Sequence, residues 1–235
     1  ALAEADVVVA SGGEIDAWIG GAMDDAGSDA ELVVLADSTP FPLSDPEGEL
    51  DPHWWHDPRN AAAAVGEIAD ALGGHAADVA PDVRRRARDY TARIHALDRA
   101  TERCIGRIPA PERRIVTDHD ALGYLAERYD IEIVGAVIPA LTTEAQPSAG
   151  ELAELREAIE RENVRAVFPE ASGGEGLAEA ISRETGASTG DALYADSLGP
   201  EGSPAGTYLG MAAANAAALA SGMSGGAVTC EEAGL

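Results

Sequence analysis

The chain has 235 residues, 46% of them hydrophobic, and no apolar run of membrane-spanning length, which fits a globular molecule of one large or two small domains. Its formal net charge is −26, from 42 acidic and 16 basic residues, and every basic residue is arginine. Such a field repels nucleic acid and anionic membranes, which argues against both as partners, and it concentrates cations near the protein.

In chain order, Ala1 to Asp6 reads as the end of a helix and Val7–Ala10 as a short buried strand. No signal peptide stands at the start, and a domain seldom opens in mid-helix, so an N-terminal portion is expected to be missing. Further strand-like runs fall at Leu32–Ala36, Arg114–Thr117, Ile131–Val137, Ala166–Phe168 and Ala192–Tyr194. Helical patterns lie between most of them, at Glu14–Asp25, Asn60–Leu72, Ala121–Tyr129, Ser148–Glu162, Gly176–Thr185 and Pro204–Ser221. This alternation predicts an α/β fold with parallel sheets flanked by helices. From Pro81 to about Arg107 one long amphipathic helix is expected, with Val83, Ala87, Tyr90, Ile94, Leu97 and Ile105 on one face. The chain therefore divides into an N-terminal lobe over residues 1–80, a linking helix over 81–108, a C-terminal lobe over 109–222 and a loose, glycine-rich tail over 223–235. In open α/β sheets ligands bind at the carboxyl ends of strands, and two such lobes would place a site in the cleft between them.

Asp51-Pro52-His53-Trp54-Trp55-His56-Asp57-Pro58-Arg59-Asn60 holds two of the five histidines and two of the three tryptophans. Two Asp-Pro steps stiffen it. Two readings stand: a metal site, which needs imidazole and carboxylate in fixed directions, or a helix-capping turn with Asp57 as N-cap and Pro58 at the first helical position. His119 lies at the end of the strand from Arg114, just before a helix; the plainer reading has Asp118 or Asp120 capping that helix and His119 exposed. Glu170 follows the strand at Ala166–Phe168, where it can bind metal, hydrogen-bond a ligand histidine or cap the next helix; the supporting role is favoured. Asp196 follows the last strand, with an Asx turn as the alternative. His53, His119 and Asp196 together form a ligand set suited to Zn²⁺ or Mn²⁺. His75 and His95 read as histidines without ligand roles. The Ser172–Gly176 stretch lacks the Gly-Lys-Ser/Thr ending of a phosphate loop. Cys104 and Cys230 are either bridged in an oxidising compartment or two separate thiols.

Ala3-Glu4-Ala5-Asp6-Val7-Val8-Val9, Asp51-Pro52-His53-Trp54-Trp55, the long helix, Thr117-Asp118-His119-Asp120-Ala121-Leu122-Gly123-Tyr124-Leu125, Leu141-Thr142-Thr143-Glu144-Ala145-Gln146-Pro147-Ser148, Phe168-Pro169-Glu170, Asp196-Ser197-Leu198-Gly199 and Gly202-Ser203-Pro204-Ala205-Gly206-Thr207-Tyr208 recur in one order. In that order they resemble the metal-binding solute-binding proteins of ABC importers. The resemblance implies an extracytoplasmic receptor, periplasmic or lipid-anchored, that takes a divalent cation and passes it to a permease. It implies His53, His119 and Asp196 as metal ligands, and a fourth, a histidine in an upstream Asp-Pro-His segment, that precedes this sequence. The N-terminal lobe is accordingly expected to be an incomplete sheet with an exposed edge or face. His56 stands where the family carries an apolar residue; it is expected to face solvent, with a weak auxiliary role as the alternative. Zinc is preferred over manganese because two histidines remain and manganese members tend to carry a carboxylate at the position of His119. The rival reading is a zinc hydrolase built on His53, His56 and His119 with Glu170 as general base; no His-Glu-x-x-His helix supports it. A metal-free, adhesin-like relative keeping only the fold is a third.

Overall fold

In the computed structural model, which describes residues 1–44, 48–141, 145–173 and 176–230, strands and helices alternate and every paired strand is parallel. The motif residues Thr142, Thr143 and Glu144, and Gly174 and Glu175 of the glycine-rich stretch, lie outside the described residues. Contacts divide the chain into one unit over Ala1–Ala96 and a second from Leu97 onward. This boundary falls inside the long helix, where the sequence pattern suggested a separate linking segment.

In the first unit, β1 (Val7–Ala10) pairs with β2 (Glu31–Val34) in register Val7 to Glu31. Val9 and Leu32 remain exposed on this two-stranded sheet. Helix α1 (Ile19–Ala26) starts later than the sequence pattern predicts. The Asp16 carboxylate accepts the backbone N–H groups of Ser11 and Gly12, and that local competition holds residues 13–18 in turns. Beyond β2 the chain tightens into a 3₁₀ turn, Leu35–Ser38, and does not extend the strand. Helix α2 (Pro58–His75) begins as the capping reading predicts: Pro58 occupies the first turn and the Asp57 carboxylate accepts the Arg59 N–H at 2.8 Å. Its buried face is almost entirely alanine (Ala61, Ala62, Ala64, Ala69, Ala71), which lets the helix lie close to β1 and β2. His75 ends this helix in an exposed pair with Glu31.

Helix α3 (Ala80–Ile105) is the predicted long helix. Its apolar stripe sinks along its length: Val83, Ala87 and Tyr90 are half-buried, while Ile94, Leu97 and Ile105 are buried. His95 faces outward on it.

In the second unit β3 (Arg114–His119), β4 (Glu132–Ile138), β5 (Ala166–Val167) and β6 (Ser188–Thr189) form one sheet in the order β4-β3-β5-β6. Helices α4 (Gly123–Tyr129), α5 (Ala149–Glu162), α6 (Gly176–Thr185) and α7 (Tyr208–Ser224) intervene or follow. The capping box Ser148 and Glu151 starts α5. Gly135 lets α5 approach β4, because a Cβ there would lie 2.7 Å from Leu155. One buried cluster joins Cys104, Ile105, Ile115, Leu125, Phe168, Leu219, Met223 and Cys230. The expected strand at Ala192–Tyr194 is instead an isolated bridge, Glu170 to Leu193, and the sheet's edge is the polar pair Ser188–Thr189.

The described part of the tail, 223–230, differs from its expected looseness, and residues 231–235 lie outside the described residues. Helix α7 continues to Ser224, Val228 and Cys230 are buried, and Cys230 is disulfide-bonded to Cys104, with Cα atoms 5.3 Å apart. Arg107 also donates to the Thr229 carbonyl at 3.0 Å. Composition alone suggested mobility; a partner 126 residues upstream removes it.

Candidate metal centre

Within the first unit, the segment around His53 packs an unusual density of polar groups out of water: Asp51, His53, His56, Asp57 and Asn60 are all at most 6% exposed. Each has a structural reason to be there. The Trp54 indole N–H donates to the Ser11 carbonyl and hydroxyl, both at 3.1 Å. That contact ties the turn to the loop after β1, where Gly13 backs onto Pro52. Asn60 accepts the Phe41 N–H and donates to the Phe41 carbonyl, each at 3.1 Å. Arg59 clasps Asp57 through its Nε and Nη2 and lays its guanidinium 3.7 Å from the Phe41 ring centre. So Phe41 is fixed from α2.

The His53 ring is fixed in turn. Its Nδ1 lies 2.7 Å from Asp51 Oδ1, which also accepts the His53 backbone N–H at 2.9 Å. An ionised carboxylate only accepts, so Nδ1 carries a proton, and in the neutral ring Nε2 is then the nitrogen able to accept. That is the carboxylate–histidine arrangement by which metal-ligating imidazoles are oriented and made more basic. His56 departs from expectation. It is buried, not solvent-facing, with its ring centre 5.7 Å from that of Trp55. The 3₁₀ turn closed by the His56 N–H on the His53 carbonyl carries its side chain inward, a rotation that alternation along an extended loop does not anticipate.

In the second unit His119 is the last residue of β3 and is buried. Its carbonyl accepts both the Thr117 hydroxyl at 2.8 Å and the Ala121 N–H at 3.0 Å, which pins the strand end. The exposed-histidine reading fails, and so does capping by Asp118 or Asp120: α4 starts after Leu122 with no side-chain cap. Asp196 Oδ2 lies 3.4 Å from His119 Nε2. The carboxylate of Asp196 is partly open to solvent while the imidazole is not.

Glu170 is buried near both of them. It accepts the Ala195 N–H at 3.2 Å and 3.1 Å through its two oxygens, and the Ser172 hydroxyl at 3.2 Å. Burial raises its pKa, the Ala195 N–H opposes that, and the negative Asp196 nearby adds to the rise. Asp118 is likewise raised by burial, against the attraction of His119. A small recess lined by Thr117, His119, Phe168, Glu170 and Ala195 marks the place. Phe168 beside it is seated against Gly190 and Gly222, whose Cβ positions would fall 2.5 Å and 2.4 Å from its ring.

An imidazole and a carboxylate at the carboxyl ends of parallel elements, each fixed by buried partners, form a hard-to-borderline donor set for a divalent cation. The family model described as "Zinc-uptake complex component A periplasmic" matches residues 1–222. The chain belongs to that family. The iron-binding protein YfeA of Yersinia pestis is 31% identical over 209 residues, which cover 88% of this chain and 67% of that protein. The zinc-binding protein TroA of Treponema pallidum is 28% identical over 221 residues, 91% of this chain and 71% of its own. The solved structure of the periplasmic zinc-binding TroA superposes with a TM-score of 0.86 at 25% identity, covering 94% of this chain and 82% of that one. The manganese-binding lipoprotein MntA of Bacillus subtilis is 29% identical over 218 residues, 89% of this chain and 71% of its own. The family is one of extracytoplasmic binding proteins and not of enzymes, so the hydrolase reading of His53, His56, His119 and Glu170 falls.

Sequence reasoning overlooked Asp51, Asn60 and Asn215 as supports of the candidate ligands. A carboxylate two residues before a histidine is one signal; a lone asparagine in an alanine-rich helix is another.

Proposed function

We propose that this protein captures a divalent metal ion outside the cytoplasmic membrane with His53, His119 and Asp196 as ligands and passes it to an ABC permease. Zinc is the preferred cargo and manganese the alternative. The observation that carries the reading is the placement of His119 and Asp196, 3.4 Å apart at the carboxyl end of β3 and in the loop past Leu193. The oriented Nε2 of His53 supports the third ligand. The relatives' names divide among iron, manganese and zinc. Two imidazoles and one carboxylate match the donor sets that zinc takes most often, which favours zinc over manganese. The ion is held, not transformed: Asp196 offsets its charge and the imidazoles supply directional donors. The net charge of −26 raises the local cation concentration.

The test is a competitive titration of metal-stripped protein with zinc and with manganese, run on the unaltered protein and on His53→Ala, His119→Ala and Asp196→Ala, with elemental analysis of each. Loss of affinity of tenfold or more, on the order expected for a lost ligand, supports each assignment. Unchanged zinc affinity in any one of the three removes that residue from the site. Tighter binding of manganese than zinc overturns the choice of metal.

A further inference from the structure

We infer that Asn215 and Glu170 are positioning residues that place Asp196 for metal, by standing in for a missing strand along the two residues before it. This rests on the metal reading above.

The segment from Ala192 to Gly199 has no strand or helix of its own. Backbone donors and acceptors in a buried segment must still be satisfied. Leu193 finds backbone partners: its N–H donates to the Pro169 carbonyl and its carbonyl accepts the Ala171 N–H, both at 2.8 Å. At Tyr194 a side chain takes over. Asn215, on α7 and 1% exposed, accepts the Tyr194 N–H at 2.9 Å and donates to the Tyr194 carbonyl at 2.8 Å. A side-chain amide carries an acceptor oxygen and a donor nitrogen side by side, so it can match both backbone functions of a single residue, as a neighbouring strand would. At Ala195 the Glu170 carboxylate accepts the N–H. The next residue is Asp196, whose carboxylate reaches His119.

Three consecutive residues are therefore held by three different means, and the candidate ligand is the residue that follows them. The two clamps come from different places, α7 and the segment just past β5. A helix and the segment that follows β5 jointly fix the direction in which Asp196 leaves the loop. Without them the carboxylate would have to be ordered when the ion arrives, at a cost in affinity. Asn215 has a further contact, its amide N to the Met211 sulfur at 3.4 Å, which sets the amide's orientation. The same two-bond asparagine clamp occurs in the first unit, Asn60 on Phe41, ahead of the segment that carries His53.

The experiment is a double-mutant cycle read by zinc affinity and by the visible absorption of the cobalt(II) form. Asn215→Asp keeps an acceptor for the Tyr194 N–H but loses the donor to its carbonyl. Glu170→Gln keeps size and loses one acceptor oxygen and the charge. Each is made alone and with Asp196→Ala. Each clamp variant should weaken zinc by about 10- to 100-fold, the range for residues that orient a ligand. Its cobalt spectrum should move toward that of Asp196→Ala. On the Asp196→Ala background each should change affinity less than about twofold, because the residue it acts through is gone. Effects that persist in full on that background, or clamp variants that bind as tightly as the unaltered protein, overturn the inference. If Asn215→Asp does not fold, as circular dichroism would show, Glu170→Gln decides the cycle alone. If Asp196→Ala by itself binds zinc normally, the metal assignment of Asp196 fails, and the inference with it; that result is read without any clamp variant.

Discussion

Asp51 Oδ1 accepts two hydrogen bonds from a single residue, the backbone N–H and the ring Nδ1 of His53, at 2.9 Å and 2.7 Å. The first fixes where the backbone of His53 lies and the second fixes how its ring is turned. One carboxylate oxygen thus decides which imidazole nitrogen carries a proton. It also lowers the cost of placing partial positive charge on the ring when Nε2 meets a cation.

Replacing Asp51 by Asn keeps an oxygen acceptor but removes the charge, so the ring is held less firmly and is less basic. Zinc affinity should fall about 10- to 100-fold. Metal-free stability should fall too, because the charge-assisted bond is lost in a buried site. A competitive zinc titration together with a urea melt checks both. Unaltered affinity would show that the Asp51 contact orients no ligand.

The disulfide between Cys104 and Cys230 ties the last described residues to the end of α3. Both sulfurs sit in the buried cluster with Ile105, Leu219 and Met223. Replacing both cysteines by serine should lower stability by about 2–4 kcal/mol, the usual range for a bridge closing a long loop. A chemical melt with and without reductant measures it. In the native protein the bridge should resist reductant far longer than in denatured protein, since it is inaccessible; equal reduction rates would contradict its burial.

Much of this was legible beforehand, and the residues show why. The edges of α2 were readable because Asp57 and Pro58 act locally, through a cap and a fixed φ. The long helix was readable from the spacing of Ile94, Leu97 and Ile105. His119 and Asp196 were singled out as sites because each follows a strand-like run. What escaped depends on partners distant in sequence. Tyr194 looks like a strand residue, yet Asn215, 21 positions later, occupies its backbone groups. Val228 and Cys230 look like a loose tail until Cys104 is placed beside them. His56 turned inward because a 3₁₀ turn rotates it, and no periodicity in a ten-residue loop reveals that.

The contact of α3 with α4 runs through Asp98, which accepts the Tyr129 hydroxyl at 3.0 Å and Arg128 Nη2 at 2.9 Å. Arg128 also reaches Glu102 at 3.2 Å. Burial would lower the Arg128 pKa, but its bonds to Asp98 and Glu102 hold the guanidinium firmly charged. Burial raises the Tyr129 hydroxyl, and the negative Asp98 raises it further. Asp98→Ala should therefore cost about 2–3 kcal/mol, because it takes away the acceptor of the Tyr129 hydroxyl and one of the two carboxylates of Arg128. Tyr129→Phe should cost only about 1 kcal/mol, one hydrogen bond. Chemical denaturation of the two variants tests the order. If Tyr129→Phe is the more damaging, the ion pair is not the anchor.

Glu170 offers a test in which stability and function move in opposite directions. Its carboxyl has a folded pKa above its ordinary value of 4.5, chiefly because it is buried, with the Ala195 N–H opposing the shift and Asp196 adding to it. A raised folded pKa means that the folded state holds the proton more tightly than the unfolded chain does. The stability this gives is present in full below the unfolded pKa and is lost as pH rises through the folded one. Metal-free Glu170→Gln has no such titration. Its melting temperature should therefore gain on that of the unaltered protein as pH rises above the ordinary carboxyl value and through the raised folded one, where the buried carboxyl loses its proton. At neutral pH the variant should be the weaker zinc binder all the same, since the charge that strains the fold is the one that holds Ala195 and with it Asp196. Thermal melts of both metal-free proteins across this pH series supply the measurement. A difference between them that stays constant, or that shrinks toward neutrality, would mean that Glu170 keeps its ordinary acidity in the folded protein.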